Sequence, residues 1–320
     1  MVDDHAGVIA TSGLFDRSGN FIVGQGNAGS ITIEAAESAS VSNGGLVSSS
    51  TGGGIGGVVS LSTPELVLSG GSIQARTVGD AEGGSISIQT GNLTMSNGAE
   101  MNTGSGLQNN QTGILLAGKG DGGNISVSAS QSINLSTGAQ ISTESLGEGN
   151  AGLVNLTTEG NFQGDDSTVS TSAQQAAGGD IIIAAGKDVQ LRNNTTVSAE
   201  SFGTGNAGNM TLQAGDMVSL SNHGVISSST VGNGKGGDIA ISAKQLVVST
   251  ASQILTDTGS FDVTGPVSGQ GQGGTVTVTA EDSVDLNGGH PLAGFVKWAH
   301  VSSACVSPDR KSTRLNSSHT

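Results

Sequence analysis

Apolar and polar residues fall in short alternating bursts along most of this chain, and each burst opens directly after a pair of small residues. Taking the second residue of each pair as an anchor gives Gly29, Gly57, Gly84, Gly123, Gly152, Gly179, Gly208, Gly237 and Gly274, always preceded by Gly or Ala. Two positions after every anchor the residue is apolar, from Ile31, Val59 and Ile86 through Met210, Ile239 and Val276. The same holds four positions after, from Ile33, Leu61 and Ile88 through Leu212, Ile241 and Val278. The intervening residue is polar except at Ile182 and Ala240. This alternation predicts a short strand with one face in and one face out. Successive anchors are 28, 27, 39, 29, 27, 29, 29 and 37 residues apart, and a strand returning about every 28 residues predicts a solenoid.

A second motif follows each anchor strand about twelve residues on: Val41-Ser42-Asn43-Gly44, Met95-Ser96-Asn97-Gly98, Leu135-Ser136-Thr137-Gly138, Leu191-Arg192-Asn193-Asn194 and Leu220-Ser221-Asn222-His223. Its apolar residue closes a strand, Asn or Gly takes a left-handed turn, and a third strand follows at Val47, Met101, Ile141, Val197 or Ile226. Three short strands per coil predict an all-β fold, a right-handed parallel β-helix of about nine coils, the hand following from the bias of parallel crossovers. With strands about 4.8 Å apart, eight steps make a rod of roughly 40 Å. The small pair at each anchor is expected where a Cβ would clash between stacked coils or where φ must be positive. Recurrent Asn at one register can hydrogen-bond along the axis.

This organisation divides the chain into the end of an upstream coil (1–25, with Val8-Ile9-Ala10-Thr11-Ser12 and Phe21-Ile22-Val23), one elongated repeat domain (26–298), an irregular stretch (299–308) and the segment 309–320. The last runs Asp309-Arg310-Lys311-Ser312-Thr313-Arg314-Leu315-Asn316-Ser317-Ser318-His319 and resembles the translation of a sequencing adapter, so it is set apart as non-native and both termini are read as artificial. It holds three of the eleven basic residues and one of the 26 acidic ones, which takes the formal charge of the rest from -15 to -17. An acidic chain short of Lys and Arg argues against nucleic acid as a partner. The 54 Gly, six Phe, one Trp and absent Tyr fit thin stacked layers of small side chains rather than a globular core. Cys305 stands alone outside the repeat, so no disulfide framework is implied. No run of 18 apolar residues spans a membrane as a helix.

The stretch Gly205-Asn206-Ala207-Gly208-Asn209-Met210-Thr211-Leu212, together with the Leu-Ser-Asn-x-Gly-x-Ile-Ser pattern that follows, resembles the repeats of filamentous-haemagglutinin-like exoproteins of two-partner secretion. The likeness covers about residues 20 to 295. It implies a right-handed β-helical shaft, outside or on the outer surface of a Gram-negative bacterium, that serves adhesion and carries no catalytic residue, cofactor or metal. The implied partners are an outer-membrane transporter, engaged through an N-terminal domain not visible in this sequence, and host-cell or matrix glycans or proteins.

A β-helical polysaccharide lyase or hydrolase would set carboxylates on neighbouring coils. Asp180, Asn209 and Asp238 form one such file, with the aspartates about 10 Å apart, the outer limit for inverting hydrolysis. Leu153 and Thr275 interrupt the file, and no Arg or Lys cluster stands by to neutralise a uronate, so outward corner carboxylates are the better reading. Gly118-Lys119-Gly120-Asp121-Gly122-Gly123 lacks the tandem spacing of calcium-binding nonapeptides, and Asp165-Asp166 reads as a solvated turn. His5, His223, His290 and His300 show no metal-ligand spacing. Gly52-Gly53-Gly54 leads into no helix and is not a phosphate loop. Thr275, Thr277 and Thr279 occupy one coil only, which does not make an ice-binding file. A plain surface-layer spacer is the third reading.

Three expectations follow for the fold. Ile182 should face outward, covered by a loop or exposed, while Ile181 and Ile183 face in. Unpaired strand edges without an obvious cap, Pro291 to Trp298 being a weak candidate, should make the isolated chain associate end to end. The two long coils carry their excess after the third strand, at Asn102 to Lys119 and Thr256 to Gln272, so both loops should leave one edge, roughly 24 Å apart. These loops hold Leu107, Ile114, Leu115 and Leu116, and Phe261 and Pro266, which are the candidate recognition residues unless they fold back over the sheet.

Overall fold

The computed structural model describes residues 1–2, 5–13, 24–108, 115–262, 265–267 and 271–287, with side chains described outside 107–116 and 260–270. It is an all-β solenoid of about eight turns with a period of about 28 residues, and no helix occurs among the described residues. Two parallel sheets run its length, of 13 and nine strands. The larger holds the anchor strand and the second strand of each coil, and the smaller holds the third strands. The ninth anchor, Gly274, opens a coil of which Val276–Asn287 is described. At the other end Val2 bridges Val41, Gly7–Ile9 pairs with Leu46–Ser48, and Ser12 bridges Thr51, so these residues belong to an upstream coil. Phe21-Ile22-Val23, Pro291–Trp298 and everything beyond lie outside the described residues.

The three-strand expectation needs one correction. In five coils the first two strands run on as one, at Val58–Ser69, Ser85–Ser96, Ile125–Ser136, Ile239–Ser249 and Val276–Asn287. Where coils of unequal length meet, the junction is a bulge: the ladder slips between Ala129 and Ser132 and between Ala243 and Gln245, whereas Val58–Ser69 and Ser85–Ser96 pair without a slip. A bulge bends a strand without ending its pairing, which is why no turn residue announces the corner.

Inside, like stacks on like. Ile86, Ile125, Val154, Ile181, Met210 and Ile239 follow one another in register and are buried, as are Leu93, Ile133, Phe162, Val189 and Val218 of the second strand. Each wholly buried aliphatic side chain is worth about 1.5–3 kcal/mol. Ile181 and Ile183 are both fully buried while Ile182, paired with Asn155 and Thr211 on the outer face, is half-buried, so the strand register is the expected one.

Two further corners of a coil are built differently from each other. After the second strand comes a turn whose central residues are left-handed: Asn43 and Gly44 have φ of 47° and 80°, and Gly45 N–H donates to Ser42 O at 2.7 Å. That is the pattern of a type I′ turn. It recurs at Asn97-Gly98, Thr137-Gly138, Asn193-Asn194, Asn222-His223 and Thr250-Ala251, so the position is less restricted than Asn or Gly. Gly70 and Asp166 stand as single left-handed residues in the two 27-residue coils, which accounts for one of the two residues by which these fall short of the 29-residue coils.

At the anchors, no positive φ is involved. A Cβ built on Gly57, Gly84, Gly123, Gly152, Gly179, Gly208, Gly237 or Gly274 would overlap the carbonyl oxygen of the anchor one coil earlier. Of the two causes the sequence left open, close approach is therefore the operative one. The residue before each anchor is only slightly less crowded, with a Cβ on Gly122, Gly178 or Gly236 falling 2.9 Å from the next anchor nitrogen, and it accepts Ala at 28, 151 and 207.

Candidate recognition edge

The third strand continues past its apolar residue as alternating small and hydroxyl side chains. Thr103, Thr143 and Ser228 are wholly buried, and their hydroxyls donate to the carbonyls of Gly123, Gly152 and Gly208 at 2.7, 2.8 and 2.6 Å. Ser49 and Thr171 do the same to Gly29 and Gly179. Two residues on, Thr51, Thr77, Ser201 and Thr230 donate to Gly26, Gly54, Ala176 and Gly205. These two files satisfy carbonyls that the close-packed anchor segment leaves inside. Sequence reasoning missed them, although the Ser/Thr/Ala alternation after each third-strand apolar residue was there to be read.

Just beyond lies a corner where Val78, Gly106, Leu146, Gln174, Phe202, Val231 and Gly259 share one register, each N–H donating to a carbonyl of the preceding coil at 2.7–3.0 Å. Both long coils leave the ladder here. Asn102 to Ser105 and Thr256 to Thr258 still pair with neighbouring coils, so the excess begins at Gly106 and Gly259 rather than at Asn102 and Thr256. Gly106 and Gly259 have φ of 95° and 116°, a region that favours glycine. Each excess is an antiparallel hairpin: Leu107–Gln108 with Leu115–Leu116, and Ser260–Asp262 with Gly265–Val267. The roots are five coil steps apart on one edge, roughly 24 Å. Ile114 and the side chains of Leu107, Leu115, Leu116, Phe261 and Pro266 lie outside the described residues. Between the hairpins the corner carries Leu146, Phe202 and Val231. Phe202 is 44% exposed, an aromatic in a chain with few, and the sequence reading did not single it out.

The hairpin roots differ electrostatically. At the first, Arg76 Nη2 donates to Gly106 O at 3.2 Å, and Asn102 Nδ2 donates at 2.8 Å both to Ser142 Oγ and to Glu144 Oε1. Arg76 Nε, Asn102 Oδ1 and Ser105 Oγ are buried there without a partner. At the second, the Ser229 hydroxyl donates to Asp257, and burial together with the nearby Asp257 carboxylate raises the pKa of Glu200.

The carboxylate file weighed for catalysis is tied up in the stack. Asp180 Oδ1 accepts Asn209 N–H at 2.7 Å, Asn209 Oδ1 accepts Asp238 N–H at 3.0 Å, and Asp238 Oδ1 accepts Thr275 N–H at 2.7 Å. Burial alone would raise the Asp238 pKa, but the hydrogen bond from the Lys235 ammonium and that from Thr275 N–H outweigh it and lower the value. On the other side of the anchors Asp121, Asn150 and Asn206 accept the backbone N–H of Asn150, Ala177 and Lys235 in the same way. Asn/Asp side chains thus stand in for ladder carbonyls on both flanks of the glycine corner. The groove they border is lined by Glu82, Asp121, Asn124, Asn150 and Asp180 and by no basic or aromatic side chain among the described residues.

The remaining polar candidates also make contacts within the stack or sit in its turns. Asp165 is bound by Arg192 Nε at 2.9 Å and Asn193 Nδ2 at 2.8 Å, and Asn222 Nδ2 continues to Asn193 Oδ1 at 3.2 Å, a short axial amide ladder. Asp166, His5 and His223 occupy left-handed turn positions. Among the described residues no three His, Cys, Asp or Glu side chains form a group that could hold a metal ion.

No protein-family model, no curated protein and no solved structure matches this chain.

Proposed function

We propose that this chain is a non-enzymatic structural protein, a rigid spacer that holds recognition elements away from a surface. More particularly, it reads as shaft from a filamentous-haemagglutinin-like adhesin of two-partner secretion, displayed or released outside a Gram-negative cell. The supporting observation is the placement of both hairpins and Phe202 on one register of an otherwise uniform stack, since recognition concentrates on loops carried by a rigid scaffold. The anchor resemblance carries the family part of the reading. The partners proposed are host-cell or matrix glycans or proteins, with an outer-membrane transporter engaged during export.

Shortening each hairpin to the regular period should leave the ladder intact, because neither interrupts it. Binding to host cells and to arrayed glycans is then compared for the two deletions, for Phe202→Ser and for the parent chain. Loss of binding with retained fold supports the adhesin. Undiminished binding in all variants ends the recognition-edge reading, and no binding in the parent leaves the plain spacer. Turnover of polysaccharides, detected as reducing ends or unsaturated products, would replace all of this with the β-helical lyase or hydrolase.

A further inference from the structure

We infer that one buried water molecule binds over Gly104, at the root of the first hairpin, and completes a polar relay that ties three coils together and fixes where the hairpin leaves the stack. Gly104 lies on the outer face of the nine-stranded sheet, paired with Glu144 of the next coil and in register with Arg76 of the preceding one. The other described residues of this file carry side chains, from Ser50 and Arg76 through Glu144 and Glu200 to Asp257. Backbone conformation does not call for glycine at 104, since its φ is not positive. Space does: a Cβ on Gly104 would stand 3.3 Å from Asn102 Oδ1, 3.3 Å from Glu144 O and 3.5 Å from Arg76 Nε. Gly104 is itself buried, so polar atoms on three sides wall an enclosed spot with room for little more than one heavy atom.

The neighbours fix the hydrogen-bond roles at this spot. Asn102 is 1% exposed and donates through Nδ2 to Ser142 Oγ and to Glu144 Oε1, both at 2.8 Å. A carboxylate oxygen accepts, so it takes the amide NH2 and leaves Oδ1 on the side of Arg76. Arg76 spends Nη2 on Gly106 O at 3.2 Å, while its Nε is enclosed. One buried donor, Arg76 Nε–H, and one buried acceptor, Asn102 Oδ1, thus border a common point, and no protein group bonds either. Buried polar groups are rarely left in that condition. The ligand that suits them accepts from the first and donates to the second. An anion would meet Asn102 Oδ1 and the Glu144 carbonyl, a cation would meet the guanidinium, and anything larger has no room. Water meets all three conditions, with Glu144 O beside it as a second acceptor. The relay then runs from Gly106 O through Arg76, the water and Asn102 to Glu144, joining unlike charges two coil steps apart through neutral groups. At the second root Asp257 stands at the register of Gly104, and its own side chain takes the equivalent place. The water fixes the first hairpin's departure whatever that hairpin recognises, so its test is separate from that of adhesion.

The full chain has five arginines, so its Nε–H signals in a 15N-labelled sample are few, and Arg76→Lys identifies the one from Arg76. The parent chain should show a cross-relaxation peak between that proton and water, with the sign of a molecule held for longer than the protein's tumbling time. Gly104→Ala fills the spot. It should abolish the peak and speed hydrogen exchange of Gly106 N–H, which donates to Thr77 O at 2.8 Å, by about tenfold. Gly259 N–H, which donates to Thr230 O at 2.7 Å at the second root, should keep its rate. Gly104→Ser supplies a hydroxyl in place of the water and should return the Gly106 rate to within about threefold of the parent. A parent chain without the peak, or a crystal structure in which a protein atom bonds Arg76 Nε or Asn102 Oδ1 directly, overturns the water. Equal acceleration at Gly106 and Gly259 in Gly104→Ala overturns the relay.

Discussion

Two corners of each coil, the left-handed turn and the anchor, redirect the chain between stacked strands by opposite means. At the left-handed turn the constraint is conformational and the space is more generous: a Cβ on Gly98 would meet nothing within 4 Å, and one on Gly138 nothing nearer than 3.7 Å. At the anchor the conformation is unremarkable and the space is gone, because backbone lies against backbone. Left-handed φ costs a non-glycine residue roughly 1–2 kcal/mol, and a coil tolerates that, so Asn, Thr, Asp, His and Ala all occur in the turn. An overlap with a fixed carbonyl has no such cheap escape, and the anchor is glycine in every coil.

Substitution should separate the two corners by magnitude. Gly152→Ala, which drives a Cβ into Gly123 O, is expected to destabilise by about 3 kcal/mol or more and to break the ladder locally, read by denaturant unfolding and by loss of hydrogen-exchange protection in the adjacent coils. Thr143→Val keeps the shape of the side chain but leaves the Gly152 carbonyl without its buried hydroxyl donor, for about 1–3 kcal/mol on the same assay. Gly98→Ala, with φ of 71° and open space, should cost only about 1 kcal/mol, and Thr137→Asn at the equivalent turn should stabilise by a few tenths. A Gly98→Ala loss as large as that of Gly152→Ala would abolish the distinction.

The smallest effect extends the comparison to charge. The Glu200 carbonyl crowds Gly178 at the anchor corner, and burial and Asp257 raise its side-chain pKa. A carboxyl whose folded pKa is raised favours folding below its unfolded pKa and loses that contribution as pH climbs through the raised value. Glu200→Gln should therefore stabilise the chain at neutral pH, with the advantage shrinking as pH falls into the ordinary carboxylate range, measured as melting temperature against pH. An advantage that is independent of pH would mean that the charge is not the cause.

The contrast also explains what could be read without coordinates. The anchors and their flanking apolar pairs were legible because a steric rule with no exceptions writes the same letters nine times, and Ile182 was legible because alternation of facing follows from it. The turn was half legible: its position shows at Asn43-Gly44 and Asn97-Gly98, but Thr250-Ala251 carries no turn signal. The corner between first and second strand was illegible, since a bulge requires no particular residue. The hairpin roots were placed a few residues early, at Asn102 and Thr256, because Asn, Ser and Thr serve equally as loop residues and as buried donors. The roles of Asn150, Asn206 and Asn209 stayed hidden for a related reason: a side chain that replaces a ladder carbonyl looks, in sequence, like any exposed polar residue.

The repetition of one backbone contact at every anchor bears on how such a chain can change over generations. Any two coils meet the same neighbours at that glycine, so a genetic exchange joining one anchor codon to another removes or adds whole turns and leaves every remaining strand in phase. Shaft length then becomes a quantity that recombination can vary freely, while the residues at the exchange point can hardly vary at all.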